Sequence, residues 1–466
     1  MVEKIRQKIS DSAPARWLVL IVVSITMMCG YFLTDVMAPL KYLLEQTFGW
    51  DSTDFGIFNS GYGWLNVILL MLIFGGMILD RMGPRFTGVV ATGVMLAGAL
   101  IKYYAIEFIP ATGFTDITLF GWHIITLKTQ VLAASIGYAI FAVGYEVIGI
   151  TATKIIVRWF KGRELALALG MNVAFARVGT ILALAAPLPI ANRFGSISMP
   201  ILFCIVLLVI GFLSFMVFVV MDRRLDSQVA QGGTPPDEKF RFSDIFSIFR
   251  IRGFWYISML CMLFYAAVFP FLKFAPEFVM HKFSVATDYS GLIPALLPLG
   301  TLFLTPLFGS IYDIKGKGAS MMILGSLMLA VTYAFFAMPM LDHWVFAAVL
   351  VIILGVAFSL VPSAMWPSVP KIIPENKLGT AYALIFWFQN IGLAGVPLLV
   401  GRVLDKYGIT GKTPEGGTIY DYTIPMLIFL CFGILAVGFG VLLKHEDSRK
   451  GFGLEKPNIV KAGDSA

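Results

Sequence analysis

The sequence predicts an all-α membrane protein with 12 transmembrane helices in two six-helix halves and both termini cytoplasmic. Three observations predict it. Of the 466 residues, 58% are apolar and 14% charged, where a soluble globular chain has about 45–50% and about 25%. The apolar residues gather into runs long enough to cross a hydrocarbon core of about 30 Å. Lys and Arg collect in alternate turns between those runs, the mark of cytoplasmic loops. The net charge of +7 therefore reads as basic residues flanking membrane helices, and no nucleic-acid partner is expected. The partners expected are a lipid bilayer and a small solute, with a monomer as the default.

Twelve apolar segments run over about 17–39, 55–79, 86–108, 128–156, 164–190, 199–221, 253–280, 290–311, 319–340, 344–366, 378–401 and 423–444. The first follows a polar, basic start, is too long for a signal h-region and lacks a small-residue cleavage site, so it reads as a retained helix. Orientation comes from Lys4, Arg6, Lys8 and Arg16, then Arg81 and Arg85, then Arg158, Lys161 and Arg163, then Arg223, Arg224, Lys239, Arg241, Arg250 and Arg252. Lys315, Lys317, Lys371 and Lys377 continue the same side, while the opposite turns hold Glu45, Asp51, Asp54, Asp116, Asp288 and Asp342. The longest polar interruption, 222–252, separates a bundle over 1–221 from one over 253–444, leaving 445–466 as a cytoplasmic tail. Within it, QGGTPP at 231–236 is linker material, and FSDIFSIF at 242–249 reads either as a short interfacial helix or as more loop. The outer stretch 109–127 is equally open.

A repeat supports two halves. GMILDRMGPR, with Asp80, Arg81, Gly83 and Arg85, follows the second segment; GSIYDIKGK, with Asp313 and Gly316, follows the eighth. Glycines there permit tight turns, and the charges can bond neighbouring helix ends, so this pair of loops is the candidate gating element. The bland alternative is a loop that only sets topology.

The candidate binding site is built on the fourth and fifth segments, joined by the basic turn at 158–164. Each carries one charge at depth: Glu146 lies roughly 18 Å above Arg158, and Arg177 roughly 21 Å above Arg163. Intramembrane charges cost about 2.5–3.5 kcal/mol each even on the mild insertion scale. The pair serves either as a permanent salt bridge between two helices or, as preferred here, as anchors for the two ends of a zwitterion. Guanidinium binds carboxylate through two parallel hydrogen bonds, and a carboxylate accepts from an ammonium. At a similar depth, roughly 18–22 Å from the cytoplasmic edge, lie Tyr31, Asn66, Tyr265, Asn390 and Ser359; depth alone leaves open which of them face a cavity. Asp35 and Lys273 lie nearer the outer face, at roughly 28–32 Å. They are second-tier binding candidates: Asp35 could attract an amine at the outer mouth or bridge to Lys273, Lys273 is expected to snorkel to water, and Lys154 is expected to snorkel too.

Other chemistry has no footing. There is no Walker loop, and the Gly61-x-Gly63 pair reads as helix packing. Cys29, Cys204, Cys261 and Cys431 sit in apolar runs and read as buried free thiols. No metal site, cofactor or enzymatic activity is expected.

The GxxxDRxGxR loop resembles the signature of the major facilitator superfamily. Trp159-Phe160-Lys161-Gly162-Arg163-Glu164-Leu165 with Ala176-Arg177-Val178-Gly179 is similar to the branch of lysosomal dipeptide transporters called major facilitator superfamily domain-containing protein 1. So are Pro374-Glu375-x-x-Leu378-Gly379-Thr380-Ala381-Tyr382, Gln389-Asn390-x-Gly392-Leu393-Ala394, Ala364-x-Trp366-Pro367 and Ala267-Val268-Phe269-Pro270-Phe271. Tyr31 to Leu40 and Tyr62-x-Trp64-x-Asn66 match more loosely. Leu272 to Glu277 departs from that branch. The resemblance implies passage of dipeptides by alternating access, with Glu146 and Arg177 at the amino and carboxyl ends. The rivals are an organic-anion or nitrate-like carrier using Arg177 alone, and a membrane receptor without solute flux. Short loops fit a bacterial inner membrane; a lysosomal membrane is the alternative.

Overall fold

The computed structural model describes residues 12–119, 122–160, 164–229, 242–374, 377–413 and 417–458. Lys161 and Arg163 of the basic turn, the 231–236 linker, Glu375 and residues 1–11 lie outside them. The first helix, α1 (Ala13–Asp35), passes through a short turn at Ala38–Leu40 into α2 (Lys41–Phe48), which Gly49 ends at φ 64°. Asp51 then starts α3 (Ser52–Ile68) through a capping box. Its Oδ1 accepts from the Asp54 N–H at 2.7 Å while Asp54 Oδ2 accepts from the Asp51 N–H at 3.3 Å, satisfying two donors that a helix start leaves over. The next element, α4 (Met71–Phe108), is two helices meeting at Gly83, whose φ of 78° is open to glycine but strained for other residues.

The second expected span therefore comes as α3 plus the start of α4, broken at Leu69 and Leu70, and the third as the rest of α4. Eleven stretches of the described residues are long and apolar enough to cross a membrane. The difference from twelve lies here, because α3 has only 17 residues and the helices on either side of Gly83 run on.

The stretch left open at 109–127 is a hairpin of β1 (Phe114–Leu119) and β2 (Trp122–Lys128), with Phe114 opposite Lys128. Then come α5 (Thr129–Phe160), α6 (Leu165–Ala185), the short α7 (Pro187–Phe194) and α8 (Met199–Val229). Phe242–Phe249 is helical, as one of its two readings had it, and forms α9. The second set is α10 (Arg252–Phe283), α11 (Leu292–Lys315), α12 (Gly318–Ala337), α13 (Trp344–Ile372), α14 (Leu378–Val403) and α15 (Thr423–Lys450). Between the last two, β3 (Ile409–Lys412) pairs with β4 (Thr418–Tyr420). These two hairpins correct the all-α expectation. Both lie in turns, and the first is rich in the β-branched and aromatic residues that favour strands.

Two bundles result. In the first, α1 packs on α6 and α8, α4 on α5 and α8, and α3 on α5; in the second, α10 packs on α14 and α15, α11 on α13, and α12 on α13 and α15. They meet chiefly where α3 lies along α14 and α6 along α11. At the end carrying both hairpins, polar contacts cross the joint. Lys41 pairs with Glu277 at 2.5 Å and Lys273 with Asp35 at 2.6 Å. Asp405 accepts from the N–H groups of Ser52 and Thr53 at 3.1 and 2.5 Å, and Glu45 accepts from Thr418 N–H at 3.0 Å.

Toward the opposite end, Trp387 of α14 donates to the Val67 carbonyl at the end of α3, 3.1 Å across the joint, while the pairs of Asp80 and Asp222 nearer Gly83 lie within one bundle. Lys154 pairs with Asp80 at 3.1 Å, so it does not merely snorkel. Asp222, fully buried, accepts from Arg158 at 3.2 Å and Trp159 at 3.1 Å, with Arg85 at 3.7 Å. In the second bundle the tail folds back: Lys317 and Gly318 donate to the Glu455 and Leu454 carbonyls, and Asn458 donates to Asp313 at 2.7 Å. The helix expected to end at 444 runs to Lys450, and residues after it clasp the Gly316 turn.

Candidate functional site

Glu146 projects from α5 and is half-buried. Tyr62 of α3 donates to its Oε1 at 2.6 Å, and Asn390 of α14 reaches the same oxygen at 3.5 Å. Asn390 can come so near because residue 63 is glycine: a Cβ there would lie 2.5 Å from the Ala394 Cβ and 2.9 Å from the Asn390 carbonyl. The Gly61-x-Gly63 pair is thus a packing device, as expected.

Arg177 projects from α6 and is also half-buried. Its guanidinium carbon stands 5.0 Å from the Phe358 ring centroid on α13 and 5.8 Å from that of Tyr31 on α1. Its Nε is buried and has no hydrogen-bond partner. Gly179 lets α1 approach, since a Cβ there would lie 2.3 Å from the Met28 carbonyl and 2.9 Å from the Tyr31 Cβ.

Among the described residues Glu146 and Arg177 form no ion pair with each other or with another residue. The permanent salt bridge, one of the two readings, is absent. A file of tyrosines stands between the two charges instead: Tyr31 meets Tyr145 edge-on at 5.2 Å between centroids, and Tyr145 meets Tyr62 at 6.3 Å. Each charge belongs to the first bundle and touches the second, through Asn390 or Phe358. Such an arrangement supplies an acceptor and a forked donor at separate points of one joint.

The remaining candidates divide. Tyr265 is buried in an aromatic group with Phe358 at 5.6 Å and Phe269 at 5.5 Å, and its hydroxyl accepts from Trp366 Nε1 at 3.1 Å. Asn66 lies one turn beyond Tyr62 and donates to the Tyr62 carbonyl at 3.4 Å; its Oδ1, like that of Asn390, is buried without a partner. Ser359 is fully buried and donates to the Gly355 carbonyl at 2.8 Å, within its own helix.

Lys273 does not snorkel. It is buried and donates to Asp35 at 2.6 Å, the Thr34 carbonyl at 2.5 Å and the Tyr138 hydroxyl at 3.2 Å. These acceptors offset its desolvation, so the bridge alternative holds. The residues of the candidate gating loops lie at the Gly83 end, apart from this site. There Asp80 is paired and Asp313 bonded as described, Arg81 is exposed, and Gly316 turns at φ 70°. Cys431 is exposed and corrects the expectation of four buried thiols. No group of three potential metal ligands occurs among the described residues.

Sequence reasoning passed over Tyr62 as a ligand of Glu146, Tyr145, Phe358, and the buried Lys41, Lys102 and Glu277. For Glu277 a signal existed: it stands four residues past Lys273, on the same helix face.

Two helical bundles that meet at a charged, aromatic joint define a multi-pass membrane carrier. Residues 20–397 match the Major Facilitator Superfamily, and the chain belongs to that superfamily. It is similar to the lysosomal dipeptide transporter MFSD1 of Danio rerio, 26% identical over 84% of this chain and 81% of the relative. The Mus musculus counterpart is 27% identical over 83% and 80%, and the Homo sapiens one 25% identical over 84% and 81%. Among solved structures, the nucleoside transporter NupG superposes with a TM-score of 0.65 at 14% identity, over 92% of this chain and 98% of that one. A bacterial homologue of the human lysosomal transporter Spinster, inward-facing and unoccupied, gives 0.64 at 15% identity, over 94% and 98%. These two share the fold.

Proposed function

We propose that the protein carries dipeptides or similar small zwitterions by alternating access, Glu146 holding the ammonium and Arg177 the carboxylate. The observation that carries this reading is that two opposite charges, on adjacent helices of one bundle, are half-buried, unpaired with each other and in contact with the other bundle. A buried guanidinium with an unpartnered Nε–H is poised for a forked acceptor, and Glu146, held by one tyrosine hydroxyl, keeps acceptor capacity for an amine. The dipeptide relatives supply the cargo class. Asn390, Tyr265, Asn66, Tyr31 and Ser359 frame the cavity in this reading, Ser359 through its backbone contact alone. Asp35 and Lys273 close its hairpin end, while Asp80, Arg81, Gly83, Arg85, Asp313 and Gly316 form the gating loops.

The same reading takes the chain across the membrane twelve times, with α3 and the start of α4 as one crossing. It divides the halves at 1–221 and 253–444, and it places both termini and the Gly83 end in the cytoplasm, where Lys and Arg concentrate. A monomer suffices, since the joint lies within one chain. The relatives named lysosomal support a lysosomal membrane; short loops are all that supports a bacterial inner membrane.

Uptake into proteoliposomes tests the cargo. Unlabelled dipeptides should compete with one another and lose effect when either end is blocked. Arg177→Lys should lose most transport, because a point charge cannot replace the fork. Retained affinity in that variant argues against carboxylate binding, and intact transport in Glu146→Gln returns the organic-anion reading.

A further inference from the structure

We propose that Lys102 is a proton-binding site of this carrier, without its extra proton while Lys273 holds Asp35 and filled when that bridge opens. Lys102 lies on α4 and is 0% exposed. Its Nζ makes one long contact, 3.4 Å to the Leu33 carbonyl, and stands 5.0 Å from the ring centroids of both Phe58 and Tyr138. Among the described residues no carboxylate lies within ion-pair reach of it. The titratable groups around it are Tyr138 on α5 and, farther off, Asp35 on α1, Cys204 on α8 and Lys273 on α10.

Two amines thus flank Tyr138, and only one of them holds a carboxylate. Lys273 bonds Asp35 and the Tyr138 oxygen, and Lys102 lies over the ring of the same tyrosine. Two ammonium groups and one carboxylate would leave a net positive charge where water is excluded, at a cost of several kcal/mol. A neutral amine at Lys102 removes that charge and leaves only a weakly satisfied donor.

The ownership of these residues then sets the proton count. Leu33, Asp35, Phe58, Lys102 and Tyr138 belong to the first bundle, and Lys273 alone belongs to the second. Parting the bundles at the hairpin end withdraws Lys273 and strands Asp35. Lys102, over the Tyr138 ring beside that site, stays on the same bundle, whereas Lys41, which also loses its partner there, lies against Tyr420 and Phe55. Water entering the opened joint gives it one proton, which binds the nitrogen lone pair as hydronium becomes water, and the ammonium balances Asp35. Closure reverses the step and releases one proton. The open form binds one proton more than the closed form, so falling pH favours opening, by up to about tenfold per pH unit.

This inference rests on the alternating-access reading, and its test monitors the joint itself rather than the cargo. In the full-length chain with Cys431→Ser, spin labels at Trp122→Cys and Met340→Cys, exposed positions on opposite bundles, report the hairpin-end separation in nanodiscs between pH 5 and 9. The open fraction should rise as pH falls. Lys102→Met should stay closed and lose most of that slope, whereas Lys102→Arg, permanently charged, should open at every pH. Opposite shifts in two variants are not a folding defect. Other titratable groups line the same end, so the readout is the difference between parent and variant. Equal slopes in parent and Lys102→Met move the proton to another group and overturn the assignment. Distances that respond to dipeptide but not to pH overturn it too, while transport stands; distances that respond to neither overturn the alternating-access reading.

Discussion

Lys41 on α2 and Glu277 on α10 approach to 2.5 Å across the joint between the bundles, and they are 2% and 1% exposed. Tyr422 donates to the same Glu277 oxygen, and the Lys41 ammonium stands 4.7 Å from the Tyr420 ring. One turn back along α10, Lys273 pairs with Asp35 in the opposite sense. Acid and base therefore alternate on both sides, so a one-turn slip of α10 would set like charges together. The register of the closed hairpin end is fixed by charge.

Glu277→Gln leaves the Lys41 ammonium buried without its anion, a change worth about 3–5 kcal/mol where no relaxation relieves it. Part of that relief comes from opening the joint to water. Cysteine labelling near the hairpin end should rise several-fold in this variant, and the exchange Lys41→Glu with Glu277→Lys should recover much of the closure. An exchange no tighter than the single variant removes the charge pairing from the gate.

At the other site, Tyr62 and Asn390 reach the same Glu146 oxygen at unequal distances, 2.6 and 3.5 Å. Hydrogen bonds to charged groups contribute about 1.5–3 kcal/mol when well made, and the longer one lies at the edge of bonding range. Tyr62→Phe should therefore lower kcat/KM for a dipeptide by about tenfold or more, and Asn390→Ala by less. Transport kinetics in proteoliposomes decide it; the reverse order would mean that Glu146 is held differently while solute is bound.

Phe358 presents its ring to Arg177 at 5.0 Å. A desolvated guanidinium over an aromatic face gains about 0.5–2 kcal/mol. Phe358→Leu keeps the packing volume close while removing the ring, and it should raise KM several-fold with little loss of folded protein. Phe358→Tyr should restore the wild-type value. A KM unmoved in Phe358→Leu indicates that the ring only fills space.

How much of this was legible in the sequence follows from which forces act locally. The long apolar segments, the basic turns and the paired glycine loops declare themselves within a few residues, so the helical membrane fold was readable. Glu146 and Arg177 could be singled out as lone charges in apolar runs, and both touch residues of the other bundle. Rotation about the helix axis was not readable. Ser359 donates to its own helix, while Tyr62 escaped notice as a partner of Glu146. Lys41, Lys102 and Glu277 were passed over because a buried lysine is recognised only by what surrounds it, and those partners lie as many as 236 residues away. The break of the second span at Leu69 and Leu70 also lacks a local cause: neither residue is glycine or proline, and Leu70 adopts φ 52°.

Asp222 supplies the last contrast, at the Gly83 end. It is 0% exposed and gathers Arg158, Trp159 and Arg85, whereas the neighbouring Asp80–Lys154 pair is about 30% exposed on both sides. Exposed pairs contribute about 0–1 kcal/mol; losing a buried carboxylate that serves two guanidinium groups and an indole costs more. Asp222→Asn keeps a carbonyl for Trp159 but not the charge. It should lower the thermal midpoint of detergent-solubilised protein clearly, and Asp80→Asn should barely move it. Transport should order them the other way per unit of lost stability if the Asp80 loop gates, since a latch that releases each cycle contributes to rate rather than to folding. Equal midpoints for the two variants would mean that Asp222 is no anchor and that the loop is held by its backbone turn at Gly83 instead.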